Sequence, residues 1–278
     1  METLNVTELW IYPVKGMQGI PVDSIEVTEL GIVGDREFAL WEDGKLVDQK
    51  TYQWVAAISA DYDPLSGVLH LSHEEHGEFV HIAHDTDEVR EGRWGFDKFN
   101  VVDQGDDVAV WLSSVLSRDV RLVTAKEPWR VNFPIPQMKR LHGGSKVRFN
   151  AASPVSIANE ASLEELNKHL DHAVDIDRFR MNVIVDGLDA FAEDGIDRLS
   201  NADIAMSSVS PAERCIIVTT DQRTGERPRN NLLRVLRDLR RKPKEDRYGS
   251  GLKFGNYLAI ERPGHLSIGD TLRVSFIE

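Results

Sequence analysis

Short apolar, β-prone runs separated by turn residues fill the first hundred or so positions, a pattern of strands rather than helices. Leu9-Trp10-Ile11-Tyr12 and Ile25-Glu26-Val27 are two such runs, and Pro13, Gly16, Gly19 and Pro21 between them break any helix. Phe38-Ala39-Leu40-Trp41 followed by Glu42-Asp43-Gly44-Lys45 predicts a hairpin whose tight turn is Asp-Gly. Gly67-Val68-Leu69-His70-Leu71 and Phe79-Val80-His81-Ile82 predict a second strand pair. A short helix over Trp111 to Leu116 and a strand over Val120-Arg121-Leu122-Val123 close this half.

Between Pro128 and Arg148 the apolar period disappears, and prolines, glycines and basic residues predict a long connecting loop. Ser162-Leu163-Glu164-Glu165-Leu166 then has the form of a capping box, with Ser162 as the cap and Glu165 reaching back. Asn182-Val183-Ile184-Val185 and Cys215-Ile216-Ile217-Val218-Thr219-Thr220 predict buried strands. Leu232, Leu233, Leu236 and Leu239 fall on one face of an amphipathic helix, opposite Arg234, Arg237 and Arg241. Strands over Phe254 to Ile260 and Thr271 to Phe276 complete a β-rich α+β chain, barrel-like in its second half.

Composition narrows the function. The 278 residues suit two domains, and no apolar run approaches the ~20 residues of a spanning helix, so no membrane association is expected. The first residues lack the pattern of a secretory signal, and a single cysteine permits no internal disulfide, which together predict a cytoplasmic protein. A net charge of −13 argues against a nucleic acid polymer or an anionic lipid surface as partner. From Arg214 to Arg247, however, eleven Lys/Arg stand against five Asp/Glu, which suits a small anionic ligand or a solvated helix face.

Cys215 directly follows Arg214, a cation that favours the thiolate, the metal-binding form; a small apolar core residue is the other reading. Arg180 and Asn182 alternate just before an apolar strand, where they hold either an anion or a structural salt bridge. Lys15 and Arg36 follow turn residues that let a backbone approach a ligand, though solvated surface cations have the same signature. His70, His73, His76, His81 and His84 crowd one predicted hairpin, but His73-Glu74-Glu75-His76 lacks the four-residue spacing of a helical zinc motif, so solvent-facing positions are expected. Nucleophile-elbow, P-loop and dinucleotide fingerprints are absent from the sequence.

Pro211-Ala212-Glu213-Arg214-Cys215-Ile216-Ile217-Val218-Thr219-Thr220, then Thr224-Gly225, resembles the cysteine motif of MOSC domains. Phe254-Gly255-Asn256-Tyr257-Leu258 and Pro263-Gly264-His265-Leu266-Ser267-Ile268-Gly269-Asp270 resemble that domain's closing strands. Tyr12-Pro13-Val14-Lys15-Gly16 and Gly34-Asp35-Arg36 resemble the β-barrel domain that precedes it, so the likeness spans nearly the whole chain. It implies an N-terminal domain over residues 1–122 and a MOSC domain over 123–278, as in amidoxime-reducing and hydroxylaminopurine-detoxifying proteins. It further implies a molybdenum cofactor (molybdenum molybdopterin) with Cys215 as catalytic residue and metal ligand. Lys15, Arg36, Ser153, Arg180, Asn182, Arg214 and Tyr257 fall at cofactor-side positions. The implied activity is reduction of small N-hydroxylated substrates with electrons from a separate flavin or iron–sulfur partner. A sulfur or cofactor carrier without turnover is the alternative. Two positions depart from the family pattern: Ala212 replaces a frequent second cysteine, and Gly16 a frequent serine after the lysine.

Overall fold

The computed structural model describes residues 2–86, 88–94, 97–130, 146–150, 152–240 and 250–277. Strands dominate, and they close into two barrels. In the larger, Val183–Asp186, Val155–Asn159, Lys253–Arg262, Ala205–Glu213, Ile196–Ser200, Thr271–Phe276 and Glu2–Ile11 are hydrogen-bonded in that order. Glu2–Ile11 then pairs back onto Val183–Asp186, which closes seven strands. Full closure leaves no row of unpaired backbone groups at an edge. Its interior is filled by Leu4, Val6, Leu9, Val155, Ile157, Val183, Met206, Leu258 and Leu272. Each such side chain contributes roughly 1.5–3 kcal/mol on leaving water.

The smaller barrel runs Val89–Trp94, Asp97–Asp103, Arg121–Ala125, Phe38–Glu42 and Lys45–Val47. Strand alternation lets Phe38–Glu42 bury both faces. Phe38 and Leu40 join a core that also holds Val108, Leu112 and Leu116 of the helix Asp106–Leu116, while Ala39 and Trp41 meet Phe99, Val101 and Phe149 on the other side. The turn at Asp43 and Gly44 has φ of 47° and 78°, the two left-handed residues an Asp-Gly hairpin requires.

Sheet membership does not follow chain order. Glu2–Ile11 is part of the larger barrel, and Ser24–Thr28 pairs with Gly264–Ser267 near the end of the chain. The two halves are therefore stitched together at the first strand, and the seam between them is where a shared site can form.

Four local expectations are corrected. Cys215–Thr220 is not a strand: pairing with Lys253–Arg262 ends at Glu213, and Ile216–Thr219 turns as a 3-10 helix. The apolar run is too short to distinguish the two, and the end of the ladder decides. The capping box at Ser162 does not form, because the helix starts earlier, at Glu160–Asn167. Ser162 instead lies inside the helix, where its hydroxyl donates to Glu193 Oε2 at 2.7 Å, and Glu165 pairs with Lys168 and His169. His81 is buried rather than solvent-facing, with Nε2 3.0 Å from Gln104 Oε1. Arg180 is not part of an alternating strand entrance; it ends the 3-10 turn Ile176–Phe179 in the left-handed region. Of the predicted loop, residues 131–145 lie outside the described residues, and its ends pair as Trp129–Arg130 with Lys146–Val147. Arg241 also lies outside them.

Candidate functional site

A cavity of about 340 Å³ opens at the seam. Its lining includes Lys15, Arg36, Ser153, Arg180, Asn182, Arg214, Cys215 and Tyr257, so all eight residues singled out from the sequence come together there. They reach it from both halves. Six cations line it, namely Lys15, Arg36, Lys50, Arg178, Arg180 and Arg214, against the carboxylates of Asp48 and Glu213. This positive field is what an anionic ligand needs.

Cys215 is exposed, at the point where the strand Ala205–Glu213 has ended and the turn Ile216–Thr219 begins. A core role for the thiol is thereby excluded. Its side chain owes nothing to barrel packing and is available for ligation.

Two arginines are built into strained backbone. Arg36 and Arg180 have φ of 50° and 54°, a region that costs non-glycine residues free energy and that recurs at functional sites. Their guanidinium carbons lie 4.3 and 4.4 Å from the centroid of the buried Tyr12 ring, whose π face attracts both cations. Arg36 Nη1 donates to both Asp35 oxygens at 2.5 and 2.6 Å, and its Nη2 donates to Arg180 O at 3.1 Å. Arg180 Nη1 donates to Met17 O and, at 3.0 Å, to Gln222 Oε1.

Asp35 is the hub of this arrangement. Its carboxylate also accepts from Tyr12 N, Asn150 Nδ2 and Asn182 Nδ2 at 2.9–3.1 Å. Asn182 spends its other amide hydrogen on Trp10 O and accepts from Ser156 Oγ, so it braces the site from behind. Arg214 is similar: Nε and Nη2 donate to Phe254 O and Nη1 to Phe179 O, each at 2.8–2.9 Å. It clamps the stacked pair Phe179–Phe254, whose centroids are 3.8 Å apart. Ser153 donates its hydroxyl to Leu258 O. The Tyr257 hydroxyl has no hydrogen-bond partner among the described residues.

Lys15 Nζ donates to Phe149 O at 3.0 Å. Burial pulls its pKa down to about 8, opposed in part by Asp48. Burial, and then Arg36, lower Arg180 to about 10. Both groups still carry their charge at neutral pH. Gly16 has φ of 88°, and a Cβ there would sit 3.2 Å from Val55 Cγ1, so glycine suits this turn and a serine would be strained.

Sequence reasoning missed Gln49 and Gln222. Both are buried, and their amides pair reciprocally, Gln49 Nε2 to Gln222 Oε1 at 2.8 Å and Gln222 Nε2 to Gln49 Oε1 at 3.1 Å. Neutral amides far apart in the chain carry no motif. The tight turn at Gly16, whose carbonyl accepts from Gln49 Nε2, was the available signal.

The chain is similar to known proteins along most of its length. Residues 3–119 match the MOSC N-terminal beta barrel domain, and residues 140–273 match the MOSC domain. Mitochondrial amidoxime-reducing component 1 of Homo sapiens is 30% identical over 274 residues, which cover 96% of this chain and 81% of that protein. Mitochondrial amidoxime reducing component 2 of Bos taurus is 31% identical over 275 residues, covering 96% and 82%. Component 1 of Mus musculus is 29% identical over 274 residues, covering 96% and 81%.

Proposed function

We propose, for a chain that belongs to the family pairing a MOSC domain with an N-terminal MOSC beta barrel and containing the amidoxime-reducing components, that the cavity holds a molybdenum cofactor and the protein reduces N-hydroxylated compounds. One observation carries the reading: an exposed thiol, Cys215, opens onto a cavity in which cations outnumber carboxylates six to two. A thiolate suits a soft metal, and buried cations suit the phosphate of a pterin, so the donor set fits this group.

Cys215 would be the metal ligand, and Lys15, Arg36 and Arg180 would hold the anionic part. When bound, the cofactor supplies two-electron redox chemistry, and the protein supplies position and electrostatics. Asp35 holds Arg36, the Met17 carbonyl and Gln222 hold Arg180, and both guanidiniums rest on Tyr12, so little reorganisation is needed on binding. Lys15 Nζ keeps its proton at neutral pH and adds a charge deep in the cavity. Phe149, Phe179, Ile217 and Val218 add apolar surface to the lining, which lowers the local dielectric and strengthens each of these interactions. Tyr257 brings a hydroxyl that is not spent on the scaffold. Reducing equivalents would come from a separate flavin or iron–sulfur protein.

The exposure of Cys215 also favours a second reading, a carrier that delivers sulfur or cofactor without turnover. An assay of cofactor-loaded protein with an N-hydroxylated purine and reduced viologen separates the two. Amine formation at many turnovers per metal is the expected result. A loaded protein that forms no amine supports the carrier, and a protein free of molybdenum after expression in a cofactor-sufficient host removes the reductase and the cofactor carrier, leaving only a sulfur carrier.

A further inference from the structure

The cations of the cavity are not held alike. Arg36 is compensated by Asp35, and Arg178 by Asp221 at 2.8 Å. Arg214 turns its nitrogens to the carbonyls of Phe179 and Phe254. Arg180 is different: it has no ion pair among the described residues, and its Nη1 is held only by neutral oxygens of Met17 and Gln222. Its Nε and Nη2 edge has no partner among the described residues. That edge is the fork that grips two oxygens of a phosphate or carboxylate. Asp35 and Asp177 offset part of the Arg180 charge without touching it, and a ligand anion on the free edge would supply the direct counter-charge that a desolvated guanidinium favours.

The oxygen that orients Arg180 belongs to a braced unit. Gln222 Oε1 accepts from both Arg180 and Gln49, and Gln222 Nε2 donates to Thr220 O at 3.0 Å. Gln49 Nε2 also donates to Gly16 O at 2.6 Å, beside Lys15. Gln49 O in turn accepts from Arg227, whose Nε donates to Thr220 Oγ1 at 2.9 Å. With Gln49 and Gln222 at 1% and 3% exposure, water does not compete for these bonds. A glutamate at position 222 would present the same oxygen to Arg180 but would cancel its charge.

We propose that Gln222, braced by Gln49, is a positioning residue that aims Arg180 into the cavity while leaving its charge to an anionic ligand. This rests on the reading that the cavity takes an anionic cofactor, but it is tested without that cofactor. The probe is inorganic phosphate, titrated calorimetrically into cofactor-free protein at neutral pH. Gln222→Met removes the acceptor and should weaken phosphate binding roughly tenfold, the worth of about one charge-assisted hydrogen bond. Gln222→Glu should weaken it further, because it adds the cancelling charge. In an Arg180→Met background neither substitution should have any further effect, a result that a general structural role would not produce. Should Gln222→Glu fail to fold, as judged from its melting temperature, Gln222→Met carries the test alone. Absence of phosphate binding by the wild-type protein overturns the proposal. So does wild-type affinity in a folded Gln222 variant, or an undiminished loss in the Arg180→Met background. Molybdenum and pterin content of the protein as purified tests the cofactor reading separately.

Discussion

The hairpin around His70, His73, His76 and His81 packs its ligand-type side chains into one short stretch of chain, whereas the cationic cavity collects residues from position 15 to position 257. In the hairpin, His73 and His76 meet ring to ring at 5.2 Å, His81 pairs with Gln104, and no group of three metal-binding side chains converges among the described residues. In the cavity, side chains distant in sequence converge because the first strand is shared with the larger barrel. Density along a chain is thus a poor guide to chemistry, since strand alternation sends neighbouring residues to opposite faces. Convergence at a seam, with strained backbone and partly compensated charge, is the better one.

Cys215→Ser should abolish amine formation and lower molybdenum content at least tenfold, while stability stays within about 0.5 kcal/mol because the thiol is exposed. Metal content and a denaturant melt check both halves of this statement. Asp35→Ala should follow, destabilising the protein by roughly 3–5 kcal/mol in urea denaturation, because it strands a buried guanidinium and two amides. Arg180→Ala should weaken cofactor retention by roughly 1.5–3 kcal/mol, read as the rate of loss on dialysis.

The hairpin should respond differently. Burial lowers the His81 pKa below its usual 6.5. Above pH 6.5 the ring is neutral in both the folded and the unfolded chain, and its stabilising contribution is fully present. Below that, the unfolded chain takes up a proton that the folded protein resists, so stability falls as the pH falls toward the lowered value. Denaturant midpoints measured between roughly pH 7 and pH 5 should show this slope, and His81→Asn should flatten it. His73→Ala and His76→Ala should have the smallest effect, within about 0.5 kcal/mol, with unchanged metal content.

Much of the fold was legible because hairpin turns and amphipathic helices are local. Asp43-Gly44 forms the turn its residues demand, and Leu232 and Leu236 are buried on the helix Leu232–Arg240 while Arg234 and Arg237 face outward. The barrel of the second half was expected, but its closure by the first strand was not legible, since that rests on Asn5–Leu9 pairing with Val183–Asp186 across most of the chain. In the site, charged residues and the cysteine stood out by type, but the supporting residues did not. The roles of Asp35 as hub, Tyr12 as the ring under both guanidiniums and the Gln49–Gln222 pair as brace depend on distances that no local pattern encodes.

The proposed chemistry requires Cys215 to present its sulfur to a metal within this cavity. X-ray absorption at the molybdenum edge of the purified protein tests it directly, compared with the same spectrum of Cys215→Ser. A protein-derived sulfur neighbour that disappears in the variant, together with most of the metal, is expected. Equal molybdenum content and an unchanged sulfur shell in the two proteins would contradict it.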